Sequence, residues 1–96
     1  MIGIYTVSAK LTFSIPYAAS LKDKRQVRRS LIERTRQRFN VSVAEVATQD
    51  VHKTLTLGIA VVSGDIPHAQ QSMEEIIRFM EGHAEDQAEL MDVERF

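Results

Sequence analysis

Hydrophobic and polar residues alternate at the start of the chain, between residues 2 and 15. A period of two predicts a β-strand with one buried and one polar face. The apolar positions of this strand are Tyr5, Val7, Ala9, Leu11 and Phe13. A second alternating stretch, 54–61, is so apolar that it predicts a strand in the middle of a sheet. Weaker alternation predicts further strands at 41–46 and 88–94, the last of them at an edge.

The segment from Ser20 to Asn40 follows the period of an α-helix instead. Ser20 is a favourable N-cap, Asp23 resembles the second member of a capping box, and Asn40 suits the residue after the helix. One arc of this helix is predicted to face the core: Val27, Leu31, Ile32, Thr35 and Phe39.

A second helix is predicted to be capped by Asp65 and to end at Gly82, with an apolar arc of its own. On its outer face, Glu74 and Arg78 have the spacing of a helical ion pair. The polar segment 84–87 is predicted to link this helix to the last strand.

The order of the predicted elements is β-α-β-β-α-β, which fits one domain covering residues 1–96. Two right-handed crossovers then give an α+β, ferredoxin-like fold, with a four-stranded antiparallel sheet and two helices on one face. The other face stays open. Its predicted residues contain no aromatic side chain, which excludes base stacking there but suits packing against another copy: Thr6, Ser8, Lys10, Thr12, Thr54, Thr56, Gly58 and Ala60.

The net charge of −1 conceals two opposed segments. Residues 20–40 contain eight Lys and Arg against two acids, whereas residues 65–96 contain nine acids against two Arg. Such an asymmetry concerns partners and orientation rather than the fold.

The basic residues of the first helix form a stripe of Lys22, Arg25, Arg29 and Arg36, with Arg34 and Arg38 beside it. Arginines can fork onto phosphates, so these six residues are the predicted contacts to ribosomal or other structured RNA. Two other interpretations stay open: a merely solvated helix face, or a surface for an acidic protein. Lys24 and Arg28 fall on the apolar arc, where a core residue is expected.

The remaining composition argues against a catalytic or metal site. There is no cysteine, and His52, His68 and His83 lack ligand spacing. No serine lies in a nucleophile elbow, so we predict no catalytic residue, no metal and no cofactor. No apolar run is long enough for a membrane span, and no signal peptide is recognisable, which favours a cytoplasmic protein.

Three ordered motifs resemble the YlxP-like family of small bacterial proteins: SLKDKR at 20–25, RFNVSVAE at 38–45 and TLGIAVVS at 56–63. The resemblance implies a ferredoxin-like fold in a bacterial cytoplasmic protein. It also implies a connection to RNA or the ribosome, because family genes often lie beside genes for translation initiation and ribosome maturation. Arg28 and Thr35 depart from its usual aliphatic residues, and His52 from an expected tryptophan.

These observations together predict a non-catalytic RNA- or ribosome-associated accessory protein that contacts phosphates through its first helix. The alternative is a protein–protein adaptor or a homodimeric structural protein that uses the open sheet face.

Overall fold

A computed structural model describes residues 3–84 and 87–96. The predicted linker residues 85 and 86, and residue 2 of the predicted first strand, lie outside this range. The elements follow the predicted βαββαβ order: β1 (Tyr5–Ser14), α1 (Leu21–Arg38), β2 (Ser42–Ala47), β3 (Thr54–Ser63), α2 (Ile66–Ala84) and β4 (Glu89–Arg95).

The four strands form one antiparallel sheet in the order β2-β3-β1-β4. Strands β1 and β3 pair over their full length, from Tyr5 opposite Ser63 to Ser14 opposite Thr54. The predicted central position of β3 is therefore confirmed, as is the α+β, ferredoxin-like fold. The two outer strands each carry an irregularity, which in β2 lies between Glu45 and Ala47.

The core lies between one sheet face and the helices, and it consists of the odd-numbered residues of β1 and β3. Leu11, Phe13, Leu55 and Leu57 are completely buried. Burial of each such side chain contributes roughly 1.5–3 kcal/mol to stability. Helix α2 supplies the opposing apolar residues: Ala69, Met73, Ile76, Ile77, Met80 and Ala84.

Helix α1 contributes less apolar surface than α2 does. Only Leu31, Thr35 and Lys24 are buried on it, and two of these side chains are polar. The hydroxyl of Thr35 donates to the Leu31 carbonyl at 2.7 Å, so this polar group is satisfied inside the core. The other predicted core positions of α1, Val27, Ile32 and Phe39, are half-buried against the core.

Three details at the helix ends and on α2 differ from the prediction. Helix α1 ends through an extended Phe39, so Asn40 does not form a left-handed cap. Helix α2 does not end at Gly82 but continues to Ala84. Gly82 does not have the positive φ of a left-handed cap. Glu74 forms its ion pair with Arg95 of β4 at 2.6 Å rather than with Arg78. The long Arg95 side chain reaches Glu74 across the sheet edge with a bidentate contact.

The open face is less polar than its sequence predicts. Thr56 is only 3% exposed, since the Thr48 hydroxyl contacts it at 3.1 Å. Val46 lies over Gly58, where an added Cβ would approach Val46 Cγ1 to 2.8 Å. The eight residues predicted for this face contain no aromatic side chain, but Phe96 follows the end of β4 beside them. The Phe96 N–H donates to the Ser8 carbonyl at 2.9 Å, which continues the β4 pairing and brings this residue onto the open face.

Candidate nucleic-acid interface

The N-terminus of α1 is closed by its own side chains. Ser20 Oγ accepts a hydrogen bond from the Asp23 N–H at 3.2 Å, and Asp23 Oδ2 accepts one from the Ala19 N–H at 2.8 Å. Ser20 is therefore the N-cap as predicted, but Asp23 accepts from the residue before the N-cap and not from Ser20 itself, so the capping box is incomplete. The side-chain cap occupies the N–H of Asp23, one of the backbone donors that an anion at the helix start would need.

All six predicted contact residues are exposed, and four of them point to solvent along α1 without the contacts described below for Arg36 and Arg38: Lys22, Arg25, Arg29 and Arg34. Within residues 3–84 and 87–96, none of the four forms an ion pair or a side-chain hydrogen bond. Their charges are therefore available to an external anion. A shallow hollow beside them is lined by Gln26, Arg29, Ser30, Glu33, Arg34 and Gln37.

The other two predicted contact residues also have contacts within the molecule. Arg36 Nη2 donates to the Val43 carbonyl of edge strand β2 at 2.7 Å. The Arg38 guanidinium lies over the rings of Phe39 and Phe79, at 5.6 and 5.4 Å from their centroids. Such cation–π contacts help to hold a guanidinium in place. Arg36 and Arg38 therefore join α1 to β2 and α2, which sequence spacing alone did not indicate.

The two unexpected charges of the apolar arc converge on one acid, Glu45 of β2. Lys24 Nζ lies 2.7 Å from Glu45 Oε2, and Arg28 Nη1 lies 3.0 Å from Oε1. Lys24 is 1% exposed, so its ammonium is a buried charge. Glu45 Oε2 is buried and has no hydrogen-bond partner among the residues that the structure describes, so its contact with Lys24 is an ion pair only. Arg28, in contrast, reaches the pair from a partly exposed position.

Lys24 also holds the loop between β2 and β3. Its ammonium donates to the carbonyl of Thr48 and, at 2.8 Å, to that of Val51. Thr48 has a φ of 60°, a left-handed conformation that is uncommon for a β-branched residue. The contacts of Lys24 and of the Thr48 hydroxyl stabilise this turn. Lys24 therefore has a structural role, and its charge does not belong to the exposed basic surface.

No set of three or more potential metal ligands occurs in the described part of the chain. His83 stacks on Phe79 with the ring centroids 5.5 Å apart, whereas His68 is exposed and His52 is half-buried. Neither helix of the described residues is long and apolar enough to cross a membrane.

Comparison with known proteins identifies the family. A family model described as a protein of unknown function (DUF503) matches residues 6–95. The chain belongs to the DUF503 family. Among curated proteins, the uncharacterized protein YlxP of Bacillus subtilis (strain 168) is 30% identical over 79 residues, which are 82% of this chain and 86% of that protein. The YlxP-like resemblance of the three motifs is thereby confirmed.

The DUF503 chain is also similar in fold to the alpha subunit of aIF2 from Pyrococcus abyssi. A C-terminal segment of that subunit matches with a TM-score of 0.55 and 14% identity over 92% of this chain. The intact subunit matches 96% of this chain with the same score and identity. This chain spans 49% of the solved segment and 35% of the intact subunit. At this identity, the likeness concerns the fold alone.

The geometry explains two residues at which this DUF503 protein departs from the expected pattern of its family. Arg28 is accommodated on the apolar arc because Glu45 faces it from β2. Thr35 is accommodated in the core because the helix backbone accepts its hydroxyl proton. The sequence contained one indication of the first contact, because Glu45 is the only charged residue of β2. Its partners could not be identified without knowing which strand lies beneath α1.

Proposed function

We propose that this protein is a non-catalytic accessory protein of the cytoplasm that binds ribosomal or other structured RNA through α1. The observation that carries the proposal is a row of exposed cations, Lys22, Arg25 and Arg29, which form no ion pair within residues 3–84 and 87–96. These three side chains face solvent.

The dimensions of α1 suit a nucleic-acid backbone. A helix of 18 residues is about 27 Å long, enough to follow several phosphates. Arg25 and Arg29 are one turn apart and can each fork onto phosphate oxygens. The hollow beside Arg29 adds the amides of Gln26 and Gln37, which can bond to sugar or base edges. Glu33 in the same hollow opposes phosphate, so the contacts are expected at the cationic positions rather than throughout it.

The basic surface has a rigid support beneath it. The Glu45 carboxylate partners Lys24 and Arg28, and the carbonyl of Val43 holds Arg36. These contacts fix both the axial position and the rotation of α1 against β2. A fixed helix loses less conformational entropy when a ligand orders its side chains, which favours binding. The gene neighbourhood implied by the YlxP-like resemblance supports the same class of partner.

The test is co-sedimentation with ribosomes at a fixed salt concentration. The doubly reversed variant Arg25→Glu/Arg29→Glu should lose co-sedimentation, since like charges would then face the phosphates. Arg78→Glu on α2 is the matched control for Arg29→Glu alone, because the same substitution is made on each helix. Circular dichroism should show the same helix content in every variant. Unchanged co-sedimentation of the doubly reversed variant would refute the proposal.

A ribonuclease step distinguishes RNA from an acidic protein partner. If α1 contacts RNA, digestion should release the protein from its complex. An association that persists after complete digestion, yet is lost in Arg25→Glu/Arg29→Glu, would assign the same surface to a protein. An adaptor role on the open sheet face would leave the α1 variants unaffected, because that face lies on the side of the sheet opposite the helices.

A further inference from the structure

One row of residues crosses all four strands on the open face. Ser42 of β2 pairs with Ala60 of β3, and Ala60 pairs with Ser8 of β1. Phe96 completes the row through its N–H bond to Ser8. Neighbouring strands are about 4.8 Å apart, so Ser42 and Phe96 stand roughly 14 Å from each other at opposite ends of the row.

Phe96 exposes a large apolar surface on this face, with 70% of the residue accessible to solvent. Val62, which pairs with Thr6 and therefore lies on the same face, is 60% exposed, and Ile4, the residue before β1, is 69% exposed. A cluster of exposed large apolar residues on one side of a small domain indicates a contact surface rather than scattered surface residues.

A hollow occupies the other end of the row. It is lined by Thr6, Arg36, Asn40, Val41, Ser42, Ala60, Val61 and Val62. Small side chains at Ser42 and Ala60 form its floor, while Val62 contributes an apolar wall. Arg36 borders it and is held there by the Val43 carbonyl. An aromatic ring fits such a site, because it meets both an apolar wall and a guanidinium.

We propose that the open face is the interface of a homodimer in which Phe96 of each copy enters the hollow of the other. A two-fold axis along the strands, midway between β3 and β1, exchanges the two ends of the row. It therefore places the Phe96 of each copy over Ser42 and Ala60 of the other. The contact is isologous, since each copy donates one ring and one hollow. Faces of twisted sheets pack in this way with strands roughly 30° apart.

The area of the sheet agrees with this arrangement. The sheet contains 33 strand residues. At strand spacing each covers about 16 Å², so the two faces together bury roughly 1,000 Å². That area reaches the lower limit of specific interfaces.

Sedimentation velocity tests the interface directly. The unmodified chain should form a dimer, and Phe96→Ala should raise its dissociation constant at least about ten-fold, because aromatic side chains buried in a pocket of the partner contribute much of the binding energy of an interface. Tyr17→Ala is the matched control, since Tyr17 is 88% exposed in the loop before α1. It should leave dimerisation unchanged. A chain that is monomeric at its solubility limit, or a Phe96→Ala dimer as tight as the original, would overturn the proposal.

A mixing experiment tests the pairing of ring and hollow. Ser42→Arg fills the hollow and should also give a monomer. A mixture of Ser42→Arg with Phe96→Ala can form one intact contact, between the ring of the first variant and the hollow of the second. The mixture should therefore contain a heterodimer more stable than either homodimer. If the mixture dissociates as readily as the separate variants, Phe96 and Ser42 do not face each other across the interface.

Discussion

Lys24 of α1 and Glu45 of β2 form a buried ion pair, with 2.7 Å between Nζ and Oε2. The side chains are only 2% and 7% exposed. Desolvation of two charges is expensive, so such a pair is maintained only where further contacts satisfy both groups. Lys24 has the Thr48 and Val51 carbonyls, and Glu45 has Arg28. The pair therefore fixes where helix, edge strand and loop meet.

Removal of the ammonium should destabilise the fold strongly. Lys24→Met leaves Glu45 with Arg28 alone and frees two loop carbonyls, so we expect a loss of about 3 kcal/mol in the free energy of unfolding. Urea denaturation measures this difference. Lys22→Met, on the exposed side of the same helix, should change stability by less than about 0.5 kcal/mol. A Lys24→Met protein as stable as the original would show that the pair makes no net contribution.

The double variant Lys24→Met/Glu45→Leu should recover part of that loss. Replacement of both charges removes the buried carboxylate that Arg28 alone would otherwise have to compensate, and buried pairs replaced by apolar residues are often neutral in stability. Recovery by urea denaturation would locate the cost in the incompletely compensated charge of Glu45. No recovery would locate it instead in the two loop carbonyls that Lys24 satisfies.

The Glu74–Arg95 pair should make stability depend on pH. The hydrogen bond from Arg95 lowers the pKa of Glu74 below its usual value of 4.5, against the smaller opposing effect of burial. A carboxyl whose pKa is lowered by folding stabilises the protein above the unfolded-state pKa, and that contribution disappears as pH falls through the folded-state pKa. Denaturation of the original chain and of Glu74→Gln should therefore differ at neutral pH and converge in acid. A difference that is independent of pH would contradict this role.

Binding to RNA should show a steep dependence on salt. Each phosphate contact contributes about 0.7 for a single strand, and about 0.9 for a duplex, to the magnitude of the slope of log K against log salt concentration. Arg29→Gln should therefore reduce the slope by about that amount. The main effect of Arg36→Gln should be a lower free energy of unfolding, with a smaller effect on the salt slope, because Arg36 also bonds to the Val43 carbonyl. Filter binding at four or more salt concentrations measures both slopes, and equal slopes for Arg29→Gln and the original chain would exclude a phosphate contact at Arg29.

The contact between Gly58 and Val46 should make a methyl group at position 58 destabilising. An added Cβ would lie 2.8 Å from Val46 Cγ1, too close without movement. Val46 is half exposed and can move, so the expected loss for Gly58→Ala is about 1 kcal/mol, the lower end for overpacking. Addition of Val46→Ala to Gly58→Ala should remove this close contact and recover the lost stability. Thermal unfolding of the two variants tests whether the side chain of Val46 is the cause.

Local patterns in the sequence were sufficient for the fold. Alternation identified the strands, and capping residues located the start of α1, because both depend on neighbours within a few positions. The partners of Lys24 and Arg28 could not be predicted in this way, since Glu45 lies 17 or more residues away along the chain. Phe96 was missed because its face depends on the register of β4 with β1 and on the irregularity between them. Whether the basic side chains of α1 are free to bind a ligand likewise depends on which carboxylates of the fold lie close to them.

The two bonds from Lys24 to the β2–β3 loop link segments separated by 24 and 27 residues along the chain. The first turns of α1 cannot unwind without releasing the ammonium from this loop. Amide hydrogens in the two segments should therefore exchange with solvent through one shared opening event rather than independently. The N–H of Val51, which bonds to Thr48 at the loop, would then be protected to the same degree as amides near Lys24. A helix end and a hairpin tip, usually the first parts of a small domain to fray, form a single cooperative unit.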